Sequence, residues 1–466
     1  MSRYPLEPDP EQMKRLVDEA MKRIVPHVES LPRQRAADTD DTAAVARALV
    51  EPIPEEPEEY GKLLDLLFER AVPKSFNAAG PGYLAYIPGG GLFHTAVADL
   101  ISDSFNRYVG VWAAAPALVQ LEANVTRWFC GIVGLPETSG GVLTTGGSLA
   151  NFMAVVAARR DRLPEDFLGG TIYASDQVHH SVEKAAILAG FPQRNIRKIS
   201  SDERYRIRLD EIADAIDADA RDGRTPFLVV GSAGTTNSGA VDDLDAIASL
   251  AKEKNLWMHV DAAYGGFFML TERGRRVMRG IEKADSVTLD PHKGLFLPYG
   301  TGSLLVRDLE TLRRAHTSRA DYMPPMQEER DFVDFCEISP ELSRGFRGLR
   351  VWLPMKMLGI GPFRAALEEK LELTRWVTDE LRTIDGIEIV AEPQLSIVAF
   401  RWVPEGAEDL DALNRTLMQR INERNRVHLT GTMLGGKFVI RICVLSFRTH
   451  LDRMQMCIED IKASSI

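Results

Sequence analysis

Two residues near the ends of consecutive apolar segments have the chemistry expected at a site that handles amines. Asp261 ends the strand-like part of LWMHVDAAYGG, and Lys293 follows the strand-like part of DSVTLDPHKGLF. A lysine can form an imine if its site keeps the amine neutral, although a solvated surface lysine is the simpler alternative. A buried aspartate needs a positive partner such as a protonated pyridine nitrogen, whereas a helix cap or an arginine salt bridge is the ordinary alternative.

The spacing of Asp261 and Lys293 predicts that they meet in space. They lie 32 residues apart on consecutive apolar strands that are joined by a helical stretch. A right-handed crossover between such strands brings both strand ends to the same edge of the sheet. Open α/β sheets bind their ligands outside the carboxyl ends of the strands, so we expect a site there.

Two earlier segments place polar residues at the same predicted edge. In TTGGSLANFMAVVAARR a strand ends in residues 144–147 and a helix begins near Ser148. The glycines let the backbone approach an anion at the positive end of the helix, although a capped tight turn has the same pattern. In YASDQVHHSVEKAAILAG, His179 and His180 follow a strand. Taken alone, such a histidine is more often a surface or core residue than a catalytic one.

The four segments together are more specific than any one of them. They supply a phosphate-binding loop, a carboxylate for a ring nitrogen, a histidine that can stack on a ring and a lysine for an imine. These are the groups that pyridoxal 5′-phosphate requires of a protein. The sequence therefore predicts an enzyme that uses this cofactor.

The elements that must position these residues follow two patterns. From about residue 90 to 310, short apolar runs such as GGVLTT, PFLVVGSAG and GSLLVR alternate with helical stretches, which predicts a mostly parallel sheet covered on both faces. After residue 350, helical patterns alternate with IEIVAE, SIVAFRWV and KFVIRICVL, which indicates a separate domain. The expected fold class is α/β, with a large domain built on a mostly parallel sheet and a small α+β C-terminal domain.

The N-terminal residues look like an attachment to this body. Residues 9–31 carry apolar side chains at helical spacing, which predicts an amphipathic helix that ends near Pro26. A second helical pattern, YGKLLDLLFERAVP, follows the segment EPIPEEPEE. Because these segments cannot bury their own apolar faces, we expect them to pack on a second copy of the chain in a homodimer.

Composition excludes several classes of function. The chain has 466 residues, a net charge of −11 and four scattered cysteines. An acidic chain is a poor match for nucleic acid, whose phosphates are bound mostly by clustered Lys and Arg. The cysteine spacing fits neither a disulfide framework nor a zinc site, and no run has the length of a membrane span or a signal peptide. We expect a cytoplasmic protein without a bound metal that acts on a small molecule.

In several longer motifs the chain closely resembles the pyridoxal-phosphate-dependent group II decarboxylases, which include aromatic-L-amino-acid, glutamate and histidine decarboxylases. The resemblance runs from about residue 75 to the C-terminus through YLAYIP, WAAAPALVQLE, SDQVHHSVEKA, GTTNSGAVDDLDAI, HVDAAYGG and DPHKG. It implies a fold type I homodimer with a dimerisation segment (1–88), a large cofactor domain (89–350) and a small domain (351–466). It also implies conversion of an L-amino acid to its amine and CO2.

The resemblance assigns roles to individual residues of this sequence. Lys293 would hold the cofactor as an imine, Asp261 would pair with the ring nitrogen, His179 would stack on the ring and Tyr322 would protonate the product carbon. Asp290 stands where the animal enzymes have Asn, so its role beside a phosphate is left open. The implied cofactor-binding set is Gly147, Ser148, His179, Thr236, Asp261, Ala263, Asp290, His292 and Lys293.

The resemblance is closer to the aromatic branch than to the glutamate branch around YLAYIP and GVWAAAP. It implies an aromatic substrate of the tryptophan, tyrosine or DOPA type, with Tyr83, Leu84 and Trp112 as substrate-binding residues. Three glycines replace bulky aromatic residues of the animal enzymes, so an enlarged pocket is expected at Gly82, Gly110 and Gly294. The alternatives are an aldehyde-forming decarboxylase, a decarboxylase of an acidic amino acid and a non-catalytic protein of the same fold.

Overall fold

A computed structural model of the chain describes Tyr4 and residues 6–317, 329 and 332–465. It shows a helical N-terminal segment, a large region built on one sheet and a smaller region built on another. None of the helices in these described ranges is long and apolar enough to cross a membrane.

The N-terminal segment consists of helices that lie largely exposed. They are α1 (Pro10–Ser30), α2 (Thr42–Ala48) and α3 (Tyr60–Asp65), which continues as a π-helical turn over Leu66–Ala71. Asp9 and Gln12 form a capping box that starts α1. The predicted helix end near Pro26 is wrong, because α1 continues to Ser30. A proline removes only one N–H from the helix ladder, and here that loss does not terminate the helix.

The strands of the larger region form one sheet in the order β1-β7-β6-β5-β4-β2-β3. Strands β2 to β6 pair in parallel, and β7 pairs antiparallel with β1 and β6. This confirms the predicted mostly parallel sheet. Their bounds are β1 (Gly140–Thr144), β2 (Gly170–Ser175), β3 (Ile196–Ile199), β4 (Thr225–Ser232), β5 (Trp257–Asp261), β6 (Ser286–Leu289) and β7 (Gly302–Val306).

Both faces of this sheet are covered. Along β4, Val229 packs into the core on one face, while Leu228 and Val230 pack into the core on the other. This two-sided burial explains the continuous apolar runs in the sequence. The helices of this region are α4 (Phe93–Phe105), α5 (Pro116–Val133), α6 (Gly147–Arg162), α7 (His180–Leu188), α8 (Leu209–Arg221), α9 (Leu244–Glu253), α10 (Glu272–Val277), α11 (Pro291–Gly294), α12 (Glu310–His316), α13 (Phe335–Ile338) and α14 (Gly348–Leu358).

The C-terminal region has its own antiparallel sheet, in the order β10-β11-β9-β8. Its strands are β8 (Ile387–Ala391), β9 (Ile397–Trp402), β10 (Thr430–Leu434) and β11 (Lys437–Cys443), and its helices are α15 (Gly361–Arg382), α16 (Leu410–Glu423) and α17 (Leu451–Ser464). The separate α+β architecture was predicted, but strand β10 was not.

Candidate active site

The carboxyl edge of the large sheet contains a cavity of about 290 Å³. Asp261 is the last residue of β5, and Lys293 lies on the one-turn helix α11 that follows the neighbouring parallel strand β6. The structure therefore brings these two residues to one site, as their spacing predicts. All nine residues of the implied cofactor-binding set line this cavity: Gly147, Ser148, His179, Thr236, Asp261, Ala263, Asp290, His292 and Lys293.

The turn between β1 and α6 forms one wall of the cavity. Gly147 is the first residue of α6, and a Cβ atom there would lie 3.0 Å from Asp290 Oδ2 and 3.3 Å from Ala263 Cβ. The close packing accounts for a glycine at this position. Among the hydrogen bonds of the described residues, none uses the backbone N–H of Gly147 or Ser148. Two free N–H groups at a helix N-terminus form a site for an anion.

Asp261 is a buried carboxylate whose partners are neutral. Its Oδ2 accepts a hydrogen bond from Asn151 Nδ2 at 2.9 Å, and its Oδ1 accepts one from the backbone N–H of Ala263 at 3.2 Å. Within the described part of the chain, Asp261 makes no ion pair with Lys, Arg or His. The arginine alternative is therefore not observed, and a cationic ligand atom would complete the environment of this carboxylate.

Lys293 makes an ion pair with Asp290, the residue whose role the sequence left open. Its Nζ lies 2.9 Å from Asp290 Oδ2, and only 3% of the Asp290 side chain is exposed. The second oxygen of Asp290 is buried and has no hydrogen-bond partner among the described residues. The lysine and this carboxylate thus lie side by side at the cavity wall.

His292 lies beside the same carboxylate. Its Nδ1 is 2.7 Å from the carbonyl oxygen of Thr301, which can only accept a hydrogen bond, and its Nε2 is 3.7 Å from Asp290 Oδ2. The imidazole therefore carries a proton on Nδ1. Burial lowers the pKa of His292 below its ordinary value, whereas the neighbouring Asp290 opposes this shift.

His179 is the N-cap residue of α7, and its ring is held by Ser181. The ring Nδ1 lies 2.7 Å from Ser181 Oγ and accepts the backbone N–H of Ser181 at 3.3 Å. Burial lowers the pKa of His179, and Asp261 is the group that most opposes this shift. A neutral, fixed imidazole at the cavity wall is suited to stacking against a planar ring.

Sequence reasoning did not identify Asn151 as a site residue. It lines the cavity, is 1% exposed and lies one helical turn after Ser148 on α6. The available signal was its i+3 spacing from Ser148, which places both residues on the same helix face. Ser181, the second residue of α7, also lines the cavity.

The three implied substrate-binding residues do not line this cavity. Tyr83 is 4% exposed and stacks on His428, with ring centroids 5.9 Å apart, and Leu84 is fully buried in the core of the C-terminal region. Trp112 stacks on Phe332 with ring centroids 4.3 Å apart. Within one chain, these three side chains are therefore not part of the wall of the cavity that contains Lys293.

The expectation that three glycines enlarge the pocket is wrong. A Cβ atom at Gly82 would overlap the carbonyl oxygen of Arg426, and one at Gly110 would overlap that of Leu342. At Gly294 it would lie 2.7 Å from Cβ of Phe267. Neighbouring atoms already occupy the space that larger side chains would need, so these glycines leave no additional room.

Tyr322, the implied proton donor, lies outside the described residues.

Comparison with known proteins identifies the family of the chain. Residues 45–403 match the model of the pyridoxal-dependent decarboxylase conserved domain. The chain is 34% identical over 457 residues to an aromatic-L-amino-acid decarboxylase of Bacillus atrophaeus, covering 97% of this chain and 95% of the relative. It is 28% identical to tryptophan decarboxylase 2 of Oryza sativa subsp. japonica, covering 87% and 86%. A crystal structure of Oryza sativa TDC with PLP and tryptamine matches with a TM-score of 0.94 at 26% identity, covering 100% of this chain and 99% of that chain.

The cavity residues fit pyridoxal 5′-phosphate at both ends of the molecule. The free N–H groups at the start of α6 suit its phosphate, and the carboxylate of Asp261 suits its protonated ring nitrogen. Lys293 lines the same cavity and offers an amine of the kind to which such a cofactor can attach. On the family match, the fold type I architecture and this site, the chain belongs to the pyridoxal-dependent decarboxylases, which are carboxy-lyases that use pyridoxal 5′-phosphate.

Proposed function

We propose that this chain removes the carboxylate of an aromatic L-amino acid of the tryptophan, tyrosine or DOPA type and releases the corresponding amine and CO2. The observation that carries the proposal is the buried Asp261 carboxylate with neutral partners, which lines one cavity with Lys293. That pair suits a pyridine-based cofactor attached through an amine, and the family match names the reaction type.

We assign each residue of the cavity a role according to its position. When bound, pyridoxal 5′-phosphate supplies a ring that accepts the electron pair left by the departing CO2. Asp261 would pair with the ring nitrogen and His179 would lie against the ring face, since both residues line the cavity. Gly147, Ser148 and His292 would hold the phosphate, with His292 Nε2 as the ring atom that remains for it because Nδ1 is bonded to Thr301.

Lys293 would hold the cofactor through its side-chain amine. Its Nζ lies 2.9 Å from Asp290 Oδ2, so Asp290 orients the lysine side chain. Thr236 and Ala263 lie along the cavity wall, where they would confine the ring. We assign Tyr322 to the return of a proton to Cα of the substrate.

The aromatic substrate class is supported by the relatives, which are named as aromatic-L-amino-acid, tryptophan and tyrosine decarboxylases. The solved structure that matches with a TM-score of 0.94 contains tryptamine, an aromatic amine. The pocket gives no independent support for a particular ring size, because Gly82, Gly110 and Gly294 open no extra space.

A panel assay tests this proposal. The purified holoenzyme is incubated with single L-amino acids, and CO2, amine and aldehyde are each quantified. We expect amine and CO2 in equal amounts from tryptophan, tyrosine or DOPA, and no turnover of glutamate. Aldehyde as the main product would replace the amine assignment, preference for glutamate would overturn the aromatic class, and absence of CO2 from every amino acid would overturn the decarboxylase function.

We also propose that the chain acts as a homodimer in the cytoplasm, with residues 1–88 as the dimerisation segment, 89–350 as the cofactor domain and 351–466 as the small domain. No residue of α1 is buried, and Met13, Leu16, Val17 and Val25 are at least 40% exposed. A cleft of about 1210 Å³, which His292 also lines, separates this segment from the body. A second subunit would bury both surfaces.

Light scattering of the full chain and of a chain lacking residues 1–50 tests the dimer. We expect the full chain to have twice the monomer mass, and the truncated chain to be monomeric or insoluble and to have lost activity. A full chain that is monomeric and active would overturn the proposal, as would an active dimer after truncation.

A further inference from the structure

The buried side-chain amide of Asn151 makes hydrogen bonds to two residues that line the cofactor cavity, Asp261 and Ser181. Asn151 Nδ2 donates hydrogen bonds to Asp261 Oδ2 and to Ser181 Oγ, each at 2.9 Å. On its other side, Asn151 Oδ1 accepts a hydrogen bond from Thr288 Oγ1 at 2.7 Å and lies 3.1 Å from His259 Nε2. All four polar contacts of this side chain are therefore satisfied inside the protein.

The carboxylate of Asp261 fixes the direction of these hydrogen bonds. An ionised carboxylate only accepts, so the NH2 group of Asn151 must face Asp261. The amide oxygen then faces His259 and Thr288, and both of these must donate. His259 is consequently protonated on Nε2, and its Nδ1 accepts from Ser286 Oγ at 2.8 Å. Burial lowers the pKa of His259 to about 4, so this ring is neutral near neutral pH.

A second hydrogen bond of the Asn151 amide connects it, through Ser181, to His179. Ser181 Oγ accepts from Asn151 Nδ2, so the hydroxyl proton of Ser181 is available for His179 Nδ1 at 2.7 Å. The backbone N–H of Ser181 points at the same ring nitrogen. Because His179 Nδ1 accepts both bonds, the proton of the neutral imidazole lies on Nε2.

We infer that Asn151 is a positioning residue for the proposed reaction: it orients the Asp261 carboxylate for the cofactor ring and, through Ser181, holds His179 as its Nε2–H tautomer. The inference rests on the proposed function, because both targets are assigned to the cofactor ring there. Asn151 acts through Asp261 and His179, which makes it a positioning rather than a catalytic residue.

The charges around the histidine support a neutral tautomer set by this network. The groups that face His179 are Asp261 at the end of β5, His180 on α7, Asp290 before α11 and Lys293 on α11. Asp261 and Asp290 raise the pKa of His179. Burial, which has the largest effect, lowers it, and so do His180 and Lys293. With these effects opposed, the hydrogen-bond partner of Nδ1 decides which nitrogen holds the proton.

Nitrogen-15 NMR of histidine-labelled holoenzyme tests the tautomer directly. The His179 signals are assigned by their loss in His179→Gln. We expect a protonated Nε2 and an unprotonated Nδ1 in the wild type, and a mixture of tautomers in Ser181→Ala. A wild-type His179 protonated on Nδ1 would overturn the inference without requiring any change to Asn151.

Cofactor affinity tests the role of the hydrogen bond from Asn151 to Asp261. Asn151→Leu keeps a similar volume and removes all four polar contacts, and we expect its dissociation constant for pyridoxal 5′-phosphate to rise about tenfold or more. Asn195→Leu is the matched control: Asn195 is also 1% exposed and lies in the same region, but its amide bonds the carbonyl oxygens of Leu168 and Gly170. If Asn151→Leu does not fold, Asn151→Ala is used, because its side chain also cannot donate to Asp261.

Unchanged cofactor affinity in the folded Asn151 variant, or an equal loss in Asn195→Leu, would contradict the positioning role while leaving decarboxylation by the wild type intact. Conversely, a wild type that binds the cofactor but releases no CO2 would refute the proposed function, whereas the tautomer and affinity results would still decide the role of Asn151.

Discussion

Replacing Asp261 by Asn separates the structural and chemical roles of this carboxylate. Both of its hydrogen-bond partners are N–H donors, Asn151 Nδ2 at 2.9 Å and the Ala263 amide at 3.2 Å. An Asn side chain offers one acceptor and one donor, so one buried N–H would face another N–H. We expect the free energy of unfolding of the cofactor-free protein to fall by about 1–3 kcal/mol.

The lost charge has a second effect, on the cofactor. Removing one partner of a desolvated charge pair costs about 2 kcal/mol or more, which corresponds to a rise of about 30-fold in the dissociation constant. Absorbance titration of the cofactor-free variant measures this constant, and denaturant unfolding measures the stability. Turnover should also fall steeply, because an unpaired ring nitrogen accepts electrons poorly.

Asp242→Asn is the matched control for this experiment. Asp242 is 1% exposed and accepts two backbone hydrogen bonds, from Ile207 and Ser232, each at 2.7 Å, but it does not line the cavity. Its replacement should leave the cofactor dissociation constant within about twofold. Wild-type cofactor affinity and turnover in Asp261→Asn would refute the assignment of Asp261 to the ring nitrogen, and an equal loss in Asp242→Asn would show that the effect is only structural.

Four further predictions follow from the structure. Lys293→Ala should abolish the visible absorbance of the attached cofactor together with turnover, and a retained band that is lost on borohydride treatment would contradict this. Tyr322→Phe should lower amine formation and release aldehyde, whereas amine alone at the original rate in product analysis would reassign that residue. Burial raises the pKa of Asp242 from 3.8 to about 6, so wild-type stability should fall relative to Asp242→Asn as the pH rises from about 4 to about 6; parallel unfolding curves across that range would refute the shift. Gly294→Trp should lower the melting temperature because of overlap with Phe267, and a stable variant with altered substrate preference would restore the pocket argument.

The alternation of apolar runs and helices was sufficient to predict the large sheet. A strand that is buried on both faces must be apolar throughout, as Leu228, Val229 and Val230 of β4 show, so its signal is local. The crossover rule then placed Asp261 and Lys293 on neighbouring strands, and the structure has them on and directly after β5 and β6.

Local signals failed where a neighbouring element decides the outcome. Strand β10, with the sequence TGTML, has little burial of its own and forms because it pairs with the apolar strand β11. Pro26 is a different case: α1 continues beyond it to Ser30, because the loss of one N–H does not end the helix. The three glycines looked like open space, and only the positions of Arg426, Leu342 and Phe267 show that the space is filled.

The sequence by itself determined the order of the elements and the chemistry carried at each strand end, because residue type and short-range spacing encode both. Only the tertiary structure decided which polar groups bond to one another. Asn151 and Asp261 are 110 positions apart, and their hydrogen bond exists because α6 packs over the ends of β5 and β6. A contact of that kind depends on the packing of whole elements, so no local pattern reports it.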